Sequence, residues 1–320
     1  MQFFIVKGPE IAKYYPFPAF RSMGDLDVVT KDRDTARLVL EELDFSVIIE
    51  ENCDDWKCYN HSLEIELHDR LLYDSPINTE RLKVFFNDSF KYVKKNKLNE
   101  SFHFFLLVHA REHLMSYGIG FRQFFDIAVL IKNCKDLDWV WIEEKLRELE
   151  LLNFAQIVFA LIERWFGINT PLQYAPVAND FYELATENIF KGGVFGFENE
   201  DTMKNNDANK INSSKHPYID SLKRNTSIVF PNYQEIQKDG KYTFLRDRPV
   251  LLPIAWIVRI WNAVVNNNPV VICQKIKQSF ISSSYAKERK DYLALWGVEI
   301  KIHEENMSII FIKRKWECWN

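Results

Sequence analysis

Apolar and polar positions follow two different periods along this chain, and the change falls near residue 77. Phe3-Phe4-Ile5-Val6 is a short apolar run of strand type, closed by Gly8-Pro9. Pro9 suits the first turn of a helix running through Ile11 and Ala12 to Tyr14, because its missing N–H would be unpaired there anyway. Asp25 to Val29 predicts a second strand, and Asp34 to Leu43 an amphipathic helix with Ala36, Leu38, Leu40 and Leu43 available to pack. Phe45 to Ile49 and Trp56 to Asn60 predict two more strands. The cleanest alternation is Leu63 to His68, with Leu63, Ile65 and Leu67 on one face and Glu64, Glu66 and His68 on the other.

Beyond Ile77 the spacing becomes helical. Ser101 to Met115 places Phe102, Phe105, Leu106, His109 and His113 along one stripe, and Phe121 to Ile131 follows the breakers Gly118 and Gly120. Trp139 to Leu152 and Phe154 to Phe166 continue the pattern, with Gly167 as a stop. The expected class is α+β. A small sheet unit fills 1–76, a helical region packs on it over 77–170, and a C-terminal region occupies 171–320. That last region holds a polar, asparagine-rich loop at about 191–214, a helix near 251–265 and a terminal hairpin over Val298 to Arg314.

Composition narrows the function classes. With 320 residues, 47% hydrophobic and 15% aromatic, the chain can bury one large core or two modest ones, which excludes a wholly disordered protein. A net charge of -4 supplies no bulk attraction to nucleic acid, which is not expected as a partner. Five cysteines, Cys53, Cys58, Cys134, Cys273 and Cys318, form no Cys-x-x-Cys pair, and no signal segment opens the chain, so a reducing cytoplasm is expected. The most apolar run, Val250 to Val265, is short for a membrane span and carries Pro253 and Arg259.

The chemistry concentrates in the first quarter. Side chains two apart on a strand share a face, so Asp25 and Asp27 stand together, about 6–7 Å apart at the backbone, while Leu26 and Val28 turn the other way. Two such carboxylates resist joint ionisation unless a cation neutralises them. If the Leu63 to His68 strand lies alongside, Glu66 and Glu64 join the acidic face, and a hard divalent cation is the simplest occupant. Magnesium is the expected ion, with two ions able to clamp the attacking and leaving oxygens of a phosphoryl displacement and manganese as the other choice. Upstream, the Gly8-Pro9 turn opens a helix suited to phosphate, with Lys7 and Arg21 adding positive charge on either side.

Lys7-Gly8, Ile11-Ala12, Tyr15-Pro16, Arg21, Gly24-Asp25-Leu26-Asp27 and the Glu-Leu-His of Glu66 to His68 together resemble the bacterial nucleotidyltransferase family of the polymerase-β superfamily, in its branch of uncharacterised nucleotidyltransferases. The resemblance extends through LLVHAREHL (Leu106 to Leu114) and FRQFFDIAVLI (Phe121 to Ile131) to Phe166, and more faintly to LLPIAWIVRIW (Leu251 to Trp261). It implies a mixed sheet with flanking helices in which Asp25 and Asp27 bind metal and Glu66 is the third carboxylate. An NMP group would pass from an NTP to the hydroxyl of an unidentified small molecule or protein, releasing pyrophosphate. Lys7, Gly8, Arg21 and Gly24 become nucleotide-binding positions; Arg21 would brace the triphosphate or pair with one of the aspartates. Glu64 rivals Glu66 by spacing, and His68 lies near the metals or faces outward. His109 and His113 read as packing histidines, as pocket lining or as a zinc pair, although His113 follows Glu112 and no His-Glu-x-x-His motif exists. The alternative function is a catalytically weak nucleotide-binding or antitoxin-like regulator that keeps the fold.

Overall fold

Strand β1 (Phe3–Val6) pairs antiparallel with β2 (Leu26–Thr30), placing Val6 opposite Asp27. On the far side of β2 runs β5 (Glu64–His68), parallel to it, with Asp27 opposite Glu66. The hairpin of β3 (Ser46–Ile48) and β4 (Trp56–Tyr59) completes a mixed sheet in the order β1-β2-β5-β4-β3. The computed structural model describes residues 3–49, 55–72, 80–87, 98–115, 118–196, 201–237, 240–245, 248–266 and 280–300.

Side-chain alternation sorts this sheet into two chemically different faces. Leu26, Val28, Ile65 and Leu67 pack with Cys58, Phe45, Val47 and Trp56 and with Ala36 and Leu40 of helix α2 (Arg33–Glu42). Asp32 starts α2 by accepting the Thr35 N–H at 3.1 Å, and Arg37 and Glu41 pair along its outer face at 3.0 Å. The opposite face carries Asp27, Glu66 and His68 together with the buried Val29. Between β1 and the short helix α1 (Gly8–Ala12) the chain bends sharply at Lys7, a non-glycine residue with φ 54 and ψ -117. Such a conformation is sterically unfavourable and persists only where its surroundings enforce it.

The helices that follow are α3 (Glu80–Asn87), α4 (Leu98–Met115), α5 (Phe121–Asn133), α6 (Trp139–Glu148), α7 (Leu152–Phe166) and α8 (Asn179–Lys191). Phe104, Leu107, Phe124, Ile127, Leu130, Phe154, Val158 and Phe159 form their buried centre. Asp138 caps α6 through the Trp141 N–H at 3.1 Å, and Gly167 ends α7 in the left-handed conformation at φ 65. The expected stop at Gly167 is therefore where the helix ends.

Two compact units divide the chain near residue 199. The first includes α8 as well as everything before it, together with Leu295–Val298, so it reaches beyond the boundary expected at 170. Trp296 belongs to this first unit and is fully buried, its ring 5.2 Å from Phe181 and 6.0 Å from Phe124. The second unit holds α9 (Asp201–Asn212), α10 (Pro217–Val229), α11 (Tyr233–Gln237), α12 (Leu252–Asn266) and most of α13 (Ser283–Leu295).

The polar stretch expected as a loop over 191–214 is largely helical in α9. Ala208 and Ile211 bury against Ile281 and Ala286, which seats a mostly polar helix by its apolar positions. The helix near 251–265 corresponds to α12, with Ala255 buried beside Ile236, Tyr242 and Leu245. The terminal hairpin lies outside the described residues beyond 300. Among the described residues no helix is long and apolar enough to cross a membrane.

One close approach ties α5 to the turn after α8. A Cβ on Gly120 would lie 2.3 Å from the Gly196 nitrogen and 2.7 Å from the Val194 oxygen, and Gly196 itself has φ 98. The amides of Phe121 and Arg122 donate to the Gly193 and Val194 carbonyls across the same contact, at 2.9 and 3.2 Å. Gly120→Ala is expected to force this turn off α5 and to destabilise the protein by about 1–3 kcal/mol in urea unfolding. Gly24→Ala, where a Cβ meets nothing within 4 Å, should leave the midpoint in place.

Candidate active site

The polar face of the sheet converges on one carboxylate. Asp27, mid-strand in β2 and only 3% exposed, accepts from Lys7 Nζ at 2.8 Å and lies 3.1 Å from His68 Nε2, both at Oδ1. The parallel register of β2 and β5 sets Glu66 beside Asp27, and His68 Nε2 is 3.7 Å from Glu66 Oε2. The other imidazole nitrogen, Nδ1, lies 2.8 Å from Asp55 Oδ1. With a carboxylate at each ring nitrogen, the doubly protonated imidazolium satisfies both contacts as donor.

The electrostatics follow from this packing. Burial works against the charged imidazole, but the hydrogen bonds and charges of Asp27 and Asp55 outweigh it and push His68 up to about 9. Burial would raise Asp27, yet Lys7 and His68 hold its carboxyl well below the usual carboxylate range. Burial likewise opposes the Lys7 ammonium, and Asp27, Asp25 and Glu66 more than compensate, so its pKa is raised. Glu66 is pushed up by burial, which His68 partly offsets and the charges of Asp25, Asp55 and Asp27 reinforce.

A stability consequence has a definite sign. His68 is raised above its ordinary value of about 6.5, so its contribution is fully present below that pH and disappears as the pH rises through 9. Unfolding followed in urea is expected to show a loss on the order of 3 kcal/mol across this window, absent in His68→Gln. The Asp27 carboxyl is held down by Lys7 first and His68 next, and that contribution is lost only in strong acid.

Asp27, Glu66 and His68 each offer a ligand atom within 4.8 Å of the others, one group of three able to hold a metal. Four carboxylates, Asp25, Asp27, Asp55 and Glu66, act on the two cations Lys7 and His68, so acidic groups outnumber basic ones at the site. Oxygen donors in a negative field fit a hard divalent cation such as magnesium or manganese. The expected trio was Asp25, Asp27 and Glu66; the ligand group found contains His68, with Asp25 half-buried just ahead of β2. Asp25 is close enough for its charge to act on Lys7 and Glu66.

The remaining sequence-predicted residues divide between site and scaffold. Gly8 is buried, and Met23 Sδ lies 3.5 Å from the position a Cβ would take there. Gly24 is exposed, as is Glu64 at the open start of β5. Arg21 is paired with neither expected aspartate: its guanidinium grips Asp126 through Nε at 2.9 Å and Nη2 at 2.8 Å, and Tyr15 donates to the same carboxylate at 2.7 Å. Asp126 therefore serves Arg21 rather than an ion pair with Arg122 along α5. His109 and His113 meet edge to face at 4.4 Å, and His109 stacks on Phe105, whose ring lies under Lys7 Nζ. No third ligand joins them in a metal-binding group among the described residues.

Asp55 and Lys57 were not singled out from the sequence; Asp55 holds His68, and Lys57 stands opposite Glu66 in the β4–β5 register. A signal existed in Asn60-His61-Ser62. Asn60 Oδ1 accepts from the amides of Ser62 and Leu63, both at 3.0 Å, and closes the β4–β5 hairpin whose register brings Asp55 to His68.

A sequence profile for a family described as an uncharacterised nucleotidyltransferase matches residues 1–167, a span that contains the whole sheet and α4 to α7. No curated protein and no solved structure matches the chain. The matched span exceeds half of the 320 residues, so the protein belongs to this family of uncharacterised nucleotidyltransferases.

Proposed function

We propose that the protein is a magnesium-dependent nucleotidyltransferase that moves an NMP group from an NTP to a hydroxyl of a small molecule or protein. In this reaction the acceptor oxygen bonds to the α-phosphorus, the bond from that phosphorus to the bridging oxygen breaks, and pyrophosphate leaves. The observation that carries the reading is the side-by-side placement of Asp27 and Glu66 on parallel neighbouring strands, next to the Lys7-Gly8 turn. Asp27 and Glu66, with Asp25, would hold one or two magnesium ions, which would supply charge neutralisation to the triphosphate and acidify the acceptor hydroxyl, and His68 could join them only after giving up the proton on Nε2.

The chain's own groups do the rest. Glu66, with its carboxyl raised by burial, is suited to take the acceptor proton. Lys7 is held by its strained turn where its ammonium can pass from Asp27 to a phosphate oxygen. Lys7 and His68, the latter fixed by Asp55, keep Asp27 ionised.

A regulator that binds nucleotide without turnover is the second reading, supported by the fact that both Lys7 and His68 bond the same oxygen of Asp27. Pyrophosphate release with each NTP, magnesium and a panel of acceptors separates the two. Release that requires Asp27 supports the transferase; nucleotide binding with no release from any NTP supports the regulator.

A further inference from the structure

The loop from Arg21 to Asp25 leads into the acidic face and has two arginines beside it, with different partners. Arg21 is buried and bound through two nitrogens to Asp126. Releasing it towards a phosphate would strand a buried carboxylate, which is costly. Arg122, one helical turn before Asp126 on α5, donates through Nη1 to the Ser22 carbonyl at 3.1 Å. Among the described residues its guanidinium has this neutral acceptor and no carboxylate ion pair, and its remaining donors are unspent there.

Arg122 is also held in orientation. Its guanidinium lies over the Phe195 ring at 4.4 Å from the centroid, and its amide donates to Val194 in the turn that crosses Gly120. Burial and the nearby positive charge of Arg21 pull its pKa down, while the charges of Asp126 and Asp25 draw it up. Through Ser22 it adjoins Met23, which packs beside Gly8, so a single loop connects the glycine turn to this arginine.

We infer that Arg122 is the arginine that receives the triphosphate of the incoming nucleotide, with Arg21 holding the loop in place behind it. The inference rests on the transferase reading. A guanidinium fork matches phosphate oxygens in two places, and stacking on Phe195 fixes its plane before the ligand arrives, which reduces the ordering cost of binding. Exchanging one bond to a neutral carbonyl for charge-assisted bonds to phosphate is favourable, whereas exchanging the Asp126 fork would not be.

The test titrates the full-length protein with inorganic tripolyphosphate in the presence of manganese, and with manganese alone. Arg122→Gln should weaken tripolyphosphate binding and raise KM for the NTP by at least about tenfold each, with manganese affinity and unfolding midpoint unchanged. Arg122→Lys should fall between, since it keeps the charge and loses the fork. Phe195→Leu, which removes the platform alone, should weaken tripolyphosphate by a smaller factor and serves where Arg122→Gln is poorly folded. Equal tripolyphosphate binding by wild type and Arg122→Gln overturns the assignment while leaving the transferase intact. Loss of tripolyphosphate and manganese binding together, with a lowered midpoint, also overturns it, because that is the signature of scaffold damage. A wild-type protein that neither binds tripolyphosphate nor releases pyrophosphate brings down the transferase reading, and this assignment with it.

Discussion

Asp27→Asn is expected to reduce pyrophosphate release by about a thousandfold or more, with every NTP and acceptor that supports wild-type turnover. Asp27 is the carboxylate on which Lys7, His68 and the register partner Glu66 all converge, and it is almost wholly enclosed. An amide of the same shape keeps one acceptor but presents an NH2 group to its neighbours and removes the negative charge that binds a cation. A spectroscopic readout accompanies the kinetic one. His68 should lose much of its elevation, and its imidazole resonances in NMR should titrate below the wild-type value of about 9. Full activity in Asp27→Asn would eliminate the metal-assisted mechanism, whatever the state of the fold.

The second large effect lies in the scaffold. Asp126→Ala is expected to cost about 3–5 kcal/mol in urea unfolding, because it leaves the Arg21 guanidinium buried without its counter-ion. Both side chains are nearly inaccessible, at 3% and 5%, and Tyr15 loses its acceptor as well. Arg21→Met should destabilise similarly by stranding the carboxylate. Combining the two should cost much less than their sum, since replacing both ions with apolar groups removes the unpaired charge along with the bridge. Strict additivity in this double-mutant cycle would show that the two residues do not act as a pair. Set beside Arg122→Gln, the Arg21 variant also tests the division between anchor and proposed nucleotide ligand, since an anchor moves the unfolding midpoint and a ligand moves KM.

The sheet was legible because its signals are local. Alternation over Leu63 to His68 sorted apolar from acidic positions, and the Asp-x-Asp of Asp25 and Asp27 needed only a parallel neighbour, which the structure provides in β5. The helices from Ser101 to Phe166 were readable from their apolar spacing and from Gly167. The partners of the charged residues were not. Arg21 and Asp126 are 105 residues apart, and a sequence displays charges without showing which pairs become enclosed together. His68 was left undecided for a related reason: its role depends on Asp55, 13 residues earlier, through the register of a hairpin. Helix α9 was misread because composition dominated the reading of Lys191 to Ser214. The buried apolar positions found there among the described residues, Ala208 and Ile211, do not stand out among asparagines and lysines.

Trp296 has a practical bearing on how a minimal catalytic fragment should be cut. Leu295–Val298 belongs to the first unit although the chain reaches it only after Glu200–Ala294 of the second. A stop codon placed at 199 would preserve the entire matched span and still withdraw an indole from between Phe124 and Phe181, opening a hole where a large ring had been. A fragment meant to keep the first unit whole therefore has to retain Trp296.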